Sequence, residues 1–153
     1  MVVVYTDGSA SPNPGPGGFS VIDEETKEPL ILGRSDRTTN IKMEGEAILA
    51  AMEKFDEVEI YTDSEFWVNV LTKWSIAWAA NNWQKKGGKI KNLRLVKKMY
   101  AVYNSKRVRL NWTRGHIGTE LNEKADEWAN KARKRITYKG LEIKEIEPMK
   151  EDE

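Results

Sequence analysis

Two apolar runs of this chain end in the same three residues, Tyr-Thr-Asp. Residues 4–7 read VYTD and residues 60–63 read IYTD, and a small residue follows each aspartate. If the runs are neighbouring parallel strands, Asp7 and Asp63 emerge side by side at the carboxyl edge of one sheet, where open α/β sheets bind their ligands. Two carboxylates about 4 Å apart repel each other by about 4 kcal/mol at an effective dielectric constant of about 20. The pattern therefore predicts a compensating cation, and a divalent metal ion is the first hypothesis.

A third acid is placed by helical periodicity. In the helix predicted over residues 41–55, Glu44 shares an apolar stripe with Ile48 and Phe55, so its side chain faces the sheet. Burial there is costly for a carboxylate that has no partner. Its neighbour Glu46 points elsewhere and is expected to be an ordinary surface charge.

Asp126 borders the apolar stripe of the last predicted helix. Taken alone, it reads as a solvent-exposed residue on a helix flank. Together with Asp7, Glu44 and Asp63 it makes four acids from four separate elements. Hard oxygen ligands of this kind suit Mg²⁺ or Mn²⁺.

The elements that must position these acids are predicted in the order strand, strand, strand, helix, strand, helices, strand, helix. Residues 2–6 form a continuous apolar run, as expected of a central strand that is covered on both faces. Residues 11–18 are so rich in proline and glycine that only a turn or loop is expected. The last strand is predicted over residues 107–112, and Thr119 is a candidate N-cap for the final helix. The pattern predicts an α/β domain.

Length and composition set further limits. The chain has 153 residues, which suits a single domain with its own core. We expect that domain over residues 1–136, followed by a flexible charged tail over residues 137–153. The absence of cysteine excludes a disulfide framework or a thiolate metal site. No apolar run approaches the length of a membrane span and no secretory signal pattern is present, so we expect a cytoplasmic protein with no membrane partner.

The net charge is only +1, but the charges are unevenly distributed. No acidic residue lies between Glu65 and Glu120. The cations in that span are Lys73, Lys85, Lys86, Lys89, Lys91, Arg94, Lys97, Lys98, Lys106, Arg107, Arg109 and Arg114. A short run of one charge is usually a solvated face, whereas so long a span favours a phosphate backbone as partner.

Four segments together resemble the type 1 ribonuclease H family. They are residues 5–9 (YTDGS), 37–44 (RTTNIKME), 61–64 (YTDS) and 112–126 (WTRGHIGTELNEKAD). The resemblance extends over residues 2–135, and several independent motifs agree in order and spacing. It implies a ribonuclease H-like fold with a five-stranded mixed sheet, three strands antiparallel and the others parallel, flanked by helices. It also implies an endonuclease that hydrolyses the RNA strand of RNA/DNA hybrids and leaves 5′-phosphate and 3′-hydroxyl ends.

The resemblance assigns the catalytic residues by position. Asp7, Glu44, Asp63 and Asp126 match the four metal-binding carboxylates of the family. The implied mechanism uses two Mg²⁺ ions about 4 Å apart, with Mn²⁺ as a substitute, to clamp the scissile phosphate. His116 matches a loop histidine of the family, which implies a role as proton shuttle or in product release.

The same match assigns substrate contacts. Aromatic surface in a channel for the DNA strand accepts a deoxyribose but crowds a 2′ hydroxyl, and the matching residues are Phe66, Trp74 and Trp78. Trp67 lies on the same helical stripe and is expected in the core. A pocket for a DNA phosphate is matched by Arg37, Thr39 and Asn92. Residues near the RNA minor groove are matched by Asn13 and Asn40. A basic protrusion that binds DNA is inferred, rather than matched by position, at Lys85, Lys86, Lys89 and Lys91.

The chain departs from the family pattern at two places. Residues 79–82 are Ala-Ala-Asn-Asn, where family members with a basic protrusion often carry lysine and arginine. Ile41 stands where a polar amide is common, so one minor-groove hydrogen bond is expected to be missing. Besides an active, monomeric hybrid nuclease, two alternatives stay open. One is a catalytically idle hybrid-binding module. The other is a nuclease domain of a larger polymerase, or a resolvase with the same fold.

Overall fold

The computed structural model describes residues 1–114 and 119–150. Within them a single mixed sheet has the strand order β5-β4-β1-β2-β3-β6. The strands are β1 Val2–Ala10, β2 Gly15–Asp23, β3 Pro29–Thr38, β4 Glu57–Thr62, β5 Arg107–Trp112 and β6 Ile143–Glu145. β1, β2 and β3 form an antiparallel meander, β4 and β5 run parallel to β1, and β6 runs parallel to β3. The α/β class and the mixed sheet are confirmed.

Helices cover both faces of this sheet. They are α1 Asn40–Lys54, α2 Glu65–Asn69, α3 Ser75–Ala80, α4 Leu93–Ser105 and α5 Glu120–Arg133, with one π-helical turn, Val70–Trp74, between α2 and α3. A Cβ atom on Gly8 would touch α1, whereas the Ser9 side chain bonds to Asn130 of α5. Since consecutive strand residues point to opposite faces, α1 and α5 lie on opposite sides of β1.

The core lies between the sheet and α1, with α4 packed against that helix and α2 near β5. Trp67 is fully buried there, as expected, and its indole Nε1 donates to the carbonyl of Ile41 at 2.7 Å. This bond joins α2, which follows Asp63, to the first turn of α1, which carries Glu44. The core therefore holds together the two elements that present two of the candidate ligands.

The register of β1 and β4 places the two Tyr-Thr-Asp segments side by side. Tyr5 pairs with Tyr61 and Thr6 with Thr62, and the two tyrosine rings stack with centroids 4.9 Å apart. The expectation that these runs are neighbouring parallel strands is confirmed. β4 ends at Thr62 while β1 continues to Ala10, so Asp7 lies beside the end of its neighbour.

Two expectations about the sheet are wrong. It has six strands rather than five, because Ile143–Glu145 adds to the edge of β3. The pairing lies inside the segment expected to be a flexible tail, and backbone bonds from Ile146 to Arg34 and from Met149 to Arg37 continue it. The division of the chain after residue 136 stays a prediction.

The second correction concerns residues 11–18, which were expected to form only a loop. β2 already begins at Gly15, because ladders on both sides satisfy its backbone groups despite the poor strand propensity of glycine. In the described part of the chain, no helix has the length and apolar character that crossing a membrane would require.

Candidate active site

Three of the four predicted ligands meet at the carboxyl end of β4. Carboxylate oxygens of Asp7, Glu44 and Asp63 lie within 4.8 Å of one another. They come from the middle of β1, the first turns of α1 and the residue that follows β4. Three oxygen donors at this spacing fit one or more hard divalent cations. The structure thus brings together side chains that lie far apart in the sequence.

Gly8 lets α1 approach β1 closely enough for Glu44 to reach Asp7. A Cβ atom at this position would lie 2.3 Å from the carbonyl carbon of Met43 and 2.5 Å from the backbone nitrogen of Glu44. Backbone atoms cannot yield as a flexible side chain does, so any larger residue would push the helix off the strand. The Gly8 amide also donates to Asp7 Oδ1 at 2.9 Å, which fixes the carboxylate.

Burial and mutual repulsion hold protons on this cluster when no cation is present. The pKa of Asp7 is raised to about 9, mainly by burial and secondly by the charge of Asp63. The hydrogen bond from the Gly8 amide lowers this pKa by a smaller amount. The pKa of Glu44 is raised to about 8, mainly by burial, and further by the charge of Asp63 and by a hydrogen bond between the two side chains. Since the neutral forms persist to such high pH, the site is built for a cation that replaces the protons.

Asp63 is held by its backbone as well as by its position after β4. The indole Nε1 of Trp112, at the end of β5, donates to the Asp63 carbonyl at 3.2 Å. The guanidinium of Arg114 lies 5.7 Å from the centroid of the Trp112 ring. Asp63 is thus held by β5, which lies on the other side of β4 from β1.

Asp126 lies near this cluster without joining it. Its side chain is exposed on α5 and is not among the carboxylates within 4.8 Å of one another. Its charge nevertheless contributes to the raised pKa of Asp7, after burial and Asp63. The four predicted acids therefore form a group of three and a more exposed fourth.

Two hydroxyl groups of the sheet hold α5 at the level of Asp126. The buried Ser20 hydroxyl donates to the carbonyl of Ala125 at 2.6 Å. The Ser9 hydroxyl donates to Asn130 Oδ1 at 3.3 Å, and Asn130 Nδ2 donates to the Asp126 carbonyl at 3.1 Å. Asn130 therefore bridges the strand that carries Asp7 and the backbone of Asp126.

An Asn130→Ala substitution should weaken metal use more than folding. Alanine favours the helix, but the bridge to Ser9 is lost. If Asp126 is a metal ligand of a hybrid nuclease, as the resemblance implies, about tenfold more Mg²⁺ should be needed for half-maximal cleavage. Hybrid binding in chelator should not change. Titrating initial cleavage rates with Mg²⁺ measures the effect.

Asn104→Ala is the matched control. Asn104 Nδ2 donates to the Tyr100 carbonyl at 2.8 Å, the same bond four residues back along a helix, but on α4. This variant should keep the Mg²⁺ dependence of the parent. An equal loss in both variants, or parent behaviour of Asn130→Ala, would contradict a positioning role.

The predicted aromatic channel forms a continuous surface after Asp63. The rings of Phe66 and Trp74 have centroids 6.1 Å apart, and those of Trp74 and Trp78 are 6.2 Å apart. Trp74 is exposed, whereas Phe66 and Trp78 are half-buried. The π-helical turn that ends at Trp74 shifts the helical register by one residue between Phe66 and Trp78.

Residues expected near the phosphate pocket and the minor groove gather at the start of α1. Thr39 is the N-cap and accepts from the Lys42 amide, and Arg37 is exposed at the end of β3. The backbone amide of Asn40 donates to Asn13 Oδ1 at 3.2 Å. The backbone amide of Ala10 donates to Asn40 Oδ1 at 2.6 Å. Thr39, Asn13 and Asn40 therefore shape this surface as well as line it.

The segment predicted to be a basic protrusion is a tight turn closed by a single β-bridge. Lys85 pairs with Gly88, and Gly87 and Gly88 have φ values of 94° and 125°, which only glycine adopts readily. Ile90 is buried in the core and anchors the turn. Asn92, with φ of 57°, follows it and precedes α4. The four predicted lysines, Lys85, Lys86, Lys89 and Lys91, are all exposed.

His116 lies outside the described residues, and its role stays a prediction. Sequence reasoning missed Ser9, Ser20 and Asn130, which act through hydrogen bonds across the sheet. Ser9 belongs to the YTDGS segment, which was the only available signal for it. Nothing in the local pattern marks Asn130 as its partner.

Comparison with known proteins agrees with this geometry. A sequence model of the RNase H family matches residues 1–134. The ribonuclease H of Neorickettsia sennetsu is 37% identical over 136 residues, which cover 84% of this chain and 90% of that protein. The ribonuclease H of Methylorubrum extorquens is 38% identical over 136 residues, covering 86% of this chain but only 60% of that protein.

A solved structure is also similar. It is a crystal structure of a type 1 RNase H with the type 2 active-site motif, with a TM-score of 0.75 and 28% identity. The match covers 92% of this chain and 75% of that one. The similarity therefore extends over most of the fold described above.

Proposed function

Because this chain belongs to the ribonuclease H family of hydrolases, we propose that it cuts the RNA strand of RNA/DNA hybrids internally. The observation that carries the proposal is the cluster of Asp7, Glu44 and Asp63, whose oxygens lie within 4.8 Å of one another. We propose 5′-phosphate and 3′-hydroxyl products. A monomeric state and a cytoplasmic location stay predictions.

The donor set suits Mg²⁺, with Mn²⁺ as a substitute, because it consists of hard carboxylate oxygens and the chain has no cysteine. Asp7, Glu44 and Asp63 would hold the cations, with Asp126 completing the set. When bound, two such ions would supply the charge that activates a water and stabilises the leaving 3′ oxygen.

The protein contributes preorganisation to this chemistry. The Gly8 amide orients the Asp7 carboxylate, and the close approach of β1 and α1 sets where Glu44 stands. Asp7 and Glu44, which have raised pKa values without a cation, would hold it as carboxylates, so its binding would displace their protons. For His116 we propose proton transfer or assistance to product release.

We propose that two surfaces select the hybrid. Phe66, Trp74 and Trp78 offer apolar area to the deoxyribose of one strand, where a 2′ hydroxyl would be crowded. Asn13 and Asn40 lie at the start of α1, and we propose that they face the 2′ hydroxyls of the RNA strand. Arg37, Thr39 and Asn92 would hold a DNA phosphate.

The test compares three duplexes of one sequence. With Mg²⁺ we expect internal cuts in the RNA strand of the hybrid, little cutting of double-stranded RNA or DNA, and none in chelator. Labelled strands on a denaturing gel measure this. Equal cutting of all three duplexes argues for an unselective nuclease, and binding without cutting in Mg²⁺ and Mn²⁺ argues for the idle binding module.

The basic protrusion should govern affinity rather than chemistry. Replacing Lys85, Lys86, Lys89 and Lys91 by alanine should weaken hybrid binding and flatten its salt dependence by a slope of about 3 to 4, since fewer counterions are released. The single-turnover cleavage rate at saturating substrate should change much less. Binding titrations over a range of salt, paired with rapid-quench rates, measure both quantities.

An effect of these four lysines on the cleavage rate rather than on hybrid affinity would place the basic protrusion in the active site. If the single-turnover rate collapses while the dissociation constant stays the same, these lysines act on the reaction itself. A matched control replaces four exposed lysines outside the protrusion, Lys27, Lys54, Lys134 and Lys139. It should change the salt dependence less.

A further inference from the structure

A groove of about 1210 Å³ runs along the outer side of α1, away from the carboxylate cluster. One wall is the basic protrusion with the residues up to Asn92, and the other is the C-terminal segment, residues 144–150. The floor is formed by α1, the start of α4 and the half-buried side chains of Trp83 and Ile146, which pack against the core from the two walls. The C-terminal wall lies beyond the part of the chain that the family model matches, which ends at residue 134.

The charge of this groove is strongly positive. Its cations outnumber its acids by eight to three. The cations are Lys42, Lys85, Lys89, Lys91, Arg94, Lys98, Lys144 and Lys150. Of the acids, Glu145 is already paired with Arg135 at 3.1 Å and lies 3.7 Å from Arg34.

The floor has a different character from the rims. Trp83, Leu49 and Ile146 contribute apolar surface between the two rows of lysines. Glu46, expected to be an ordinary surface charge, is instead half-buried there, with Lys42, Lys98 and Lys144 around it. Cationic rims over an apolar, partly aromatic floor suit a single nucleic-acid strand, which turns its phosphates to the rims and its bases to the floor.

A duplex fits this arrangement poorly, because its bases are stacked inside and leave the apolar floor without a partner. Asn92, which belongs to the proposed pocket for a DNA phosphate, also lines the groove. Lys42 and Leu49 are seven residues apart on α1, about 10 Å at 1.5 Å per residue, so the floor is long enough for a short segment of about two or three nucleotides at about 3.4 Å each.

We propose that this groove binds single-stranded DNA that continues the DNA strand of a hybrid beyond the duplex. The protein would then prefer hybrids that are flanked by unpaired DNA. This inference rests on the proposed function, because it assumes that the paired part of the DNA strand lies at the Arg37, Thr39 and Asn92 pocket. It adds a site formed partly by β6 and the residues after it.

The C-terminal wall is held firmly enough to serve as one side of a site. Ile146 donates its amide to the Arg34 carbonyl at 2.7 Å, and Met149 donates to the Arg37 carbonyl at 2.8 Å. The wall therefore runs along the edge of β3 to the proposed phosphate pocket. Lys144 and Lys150 are exposed on it, and neither belongs to the proposed catalytic or hybrid-binding sets.

The test measures binding of the full chain in chelator, by fluorescence anisotropy. Ligands are a blunt hybrid and hybrids whose DNA strand carries a short oligothymidine extension at the 5′ or the 3′ end. We expect one extension to tighten binding about fivefold, with a steeper salt dependence from the added phosphate contacts. A double variant, Lys144→Ala with Lys150→Ala, should lose most of this gain and bind the blunt hybrid as the parent does.

Lys27→Ala with Lys139→Ala is the matched control, since it also removes two exposed lysines. It should keep the full gain. Equal binding of blunt and extended hybrids by the parent, or an equal gain in the Lys144 and Lys150 variant, would overturn the proposal. So would an oligouridine extension of the RNA strand that tightens binding as much as the DNA extension.

The proposed function is tested separately with the blunt hybrid in Mg²⁺. If the blunt hybrid is cut but extensions add nothing to binding, only the groove proposal fails. If the blunt hybrid is neither bound nor cut, the proposed function fails first.

Discussion

An Asp7→Asn variant should lose hybrid cleavage to near background and yet, in chelator, unfold at a higher temperature than the parent. Asparagine keeps the shape of the side chain, and its Oδ1 can still accept the Gly8 amide that Asp7 accepts at 2.9 Å. In the metal-free parent, Asp7 must take up a proton on folding or be ionised beside the other carboxyls, and asparagine removes this cost, so the metal-free protein should gain about 1 kcal/mol or more at neutral pH. An amide is a poor ligand for a hard dication, so activity should disappear.

Magnesium should reverse the order of stability. A ligand that binds only the native state raises the free energy of unfolding by mass action, and the parent binds Mg²⁺ better than the variant. Thermal unfolding of both proteins in chelator and in Mg²⁺, together with hybrid cleavage, measures the whole prediction. A variant that is less stable in chelator and still cuts hybrid normally would make Asp7 a structural residue.

Asp56→Asn is the matched control for this pair of effects. The Asp56 carboxylate is fully exposed and lies 4.0 Å from Lys106, and an exposed ion pair of this kind contributes little to stability. Neither activity nor the unfolding temperature should change in either buffer. A rise in stability as large as that of Asp7→Asn would mean that any loss of an acid stabilises this chain.

The metal-free protein should also become less stable as pH rises from about 5 to about 8. The pKa of Asp7 is raised from 3.8 to about 9 and that of Glu44 from 4.5 to about 8. Between the unfolded and folded values the native state therefore binds more protons, so the free energy of unfolding falls as pH rises. The stability is fully present below the unfolded pKa values and is lost as pH rises through the folded ones.

The expected slope is about 1.4 kcal/mol per pH unit for each proton that the native state retains. Because the two carboxyls interact, we expect a total fall of about 2 to 4 kcal/mol across this range. Urea unfolding in chelator at a series of pH values measures it. Asp7→Asn should flatten the curve, and Mg²⁺ should oppose the fall because the bound ion replaces protons.

A metal-free stability that rises with pH over the same range would contradict the raised pKa values. The same measurement on Asp56→Asn separates the site from the rest of the protein. That variant should show the slope of the parent, because it leaves the carboxylate cluster intact.

The sequence by itself determined the elements whose signals are local. The two Tyr-Thr-Asp runs are continuous β-rich segments, and their likeness predicted the neighbouring strands that place Asp7 and Asp63 together. The 3.6-residue helical period predicted that Glu44 faces the sheet. The residue type and position of Thr119 predicted the N-cap of α5, which the structure confirms. These predictions hold because period and capping act within a few residues.

The tertiary structure decided what depends on distant partners. β6 is three residues long and lies in a charged segment, so it is a strand only because the edge of β3 supplies its hydrogen bonds. Residues 15–18, at the start of β2, are likewise part of a strand because of the ladders on both sides. Glu46 is half-buried because α1 faces the C-terminal segment as well as the sheet.

The same reason separates the site into a predictable and an unpredictable part. The carboxylates are recognisable by type, whereas their spacing depends on Gly8 admitting the backbone of Glu44 and on Asn130 joining Ser9 to Asp126. Ser9 and Asn130 are 121 positions apart in the chain. No local pattern encodes a contact over that separation, because it exists only once the sheet and α5 have packed together.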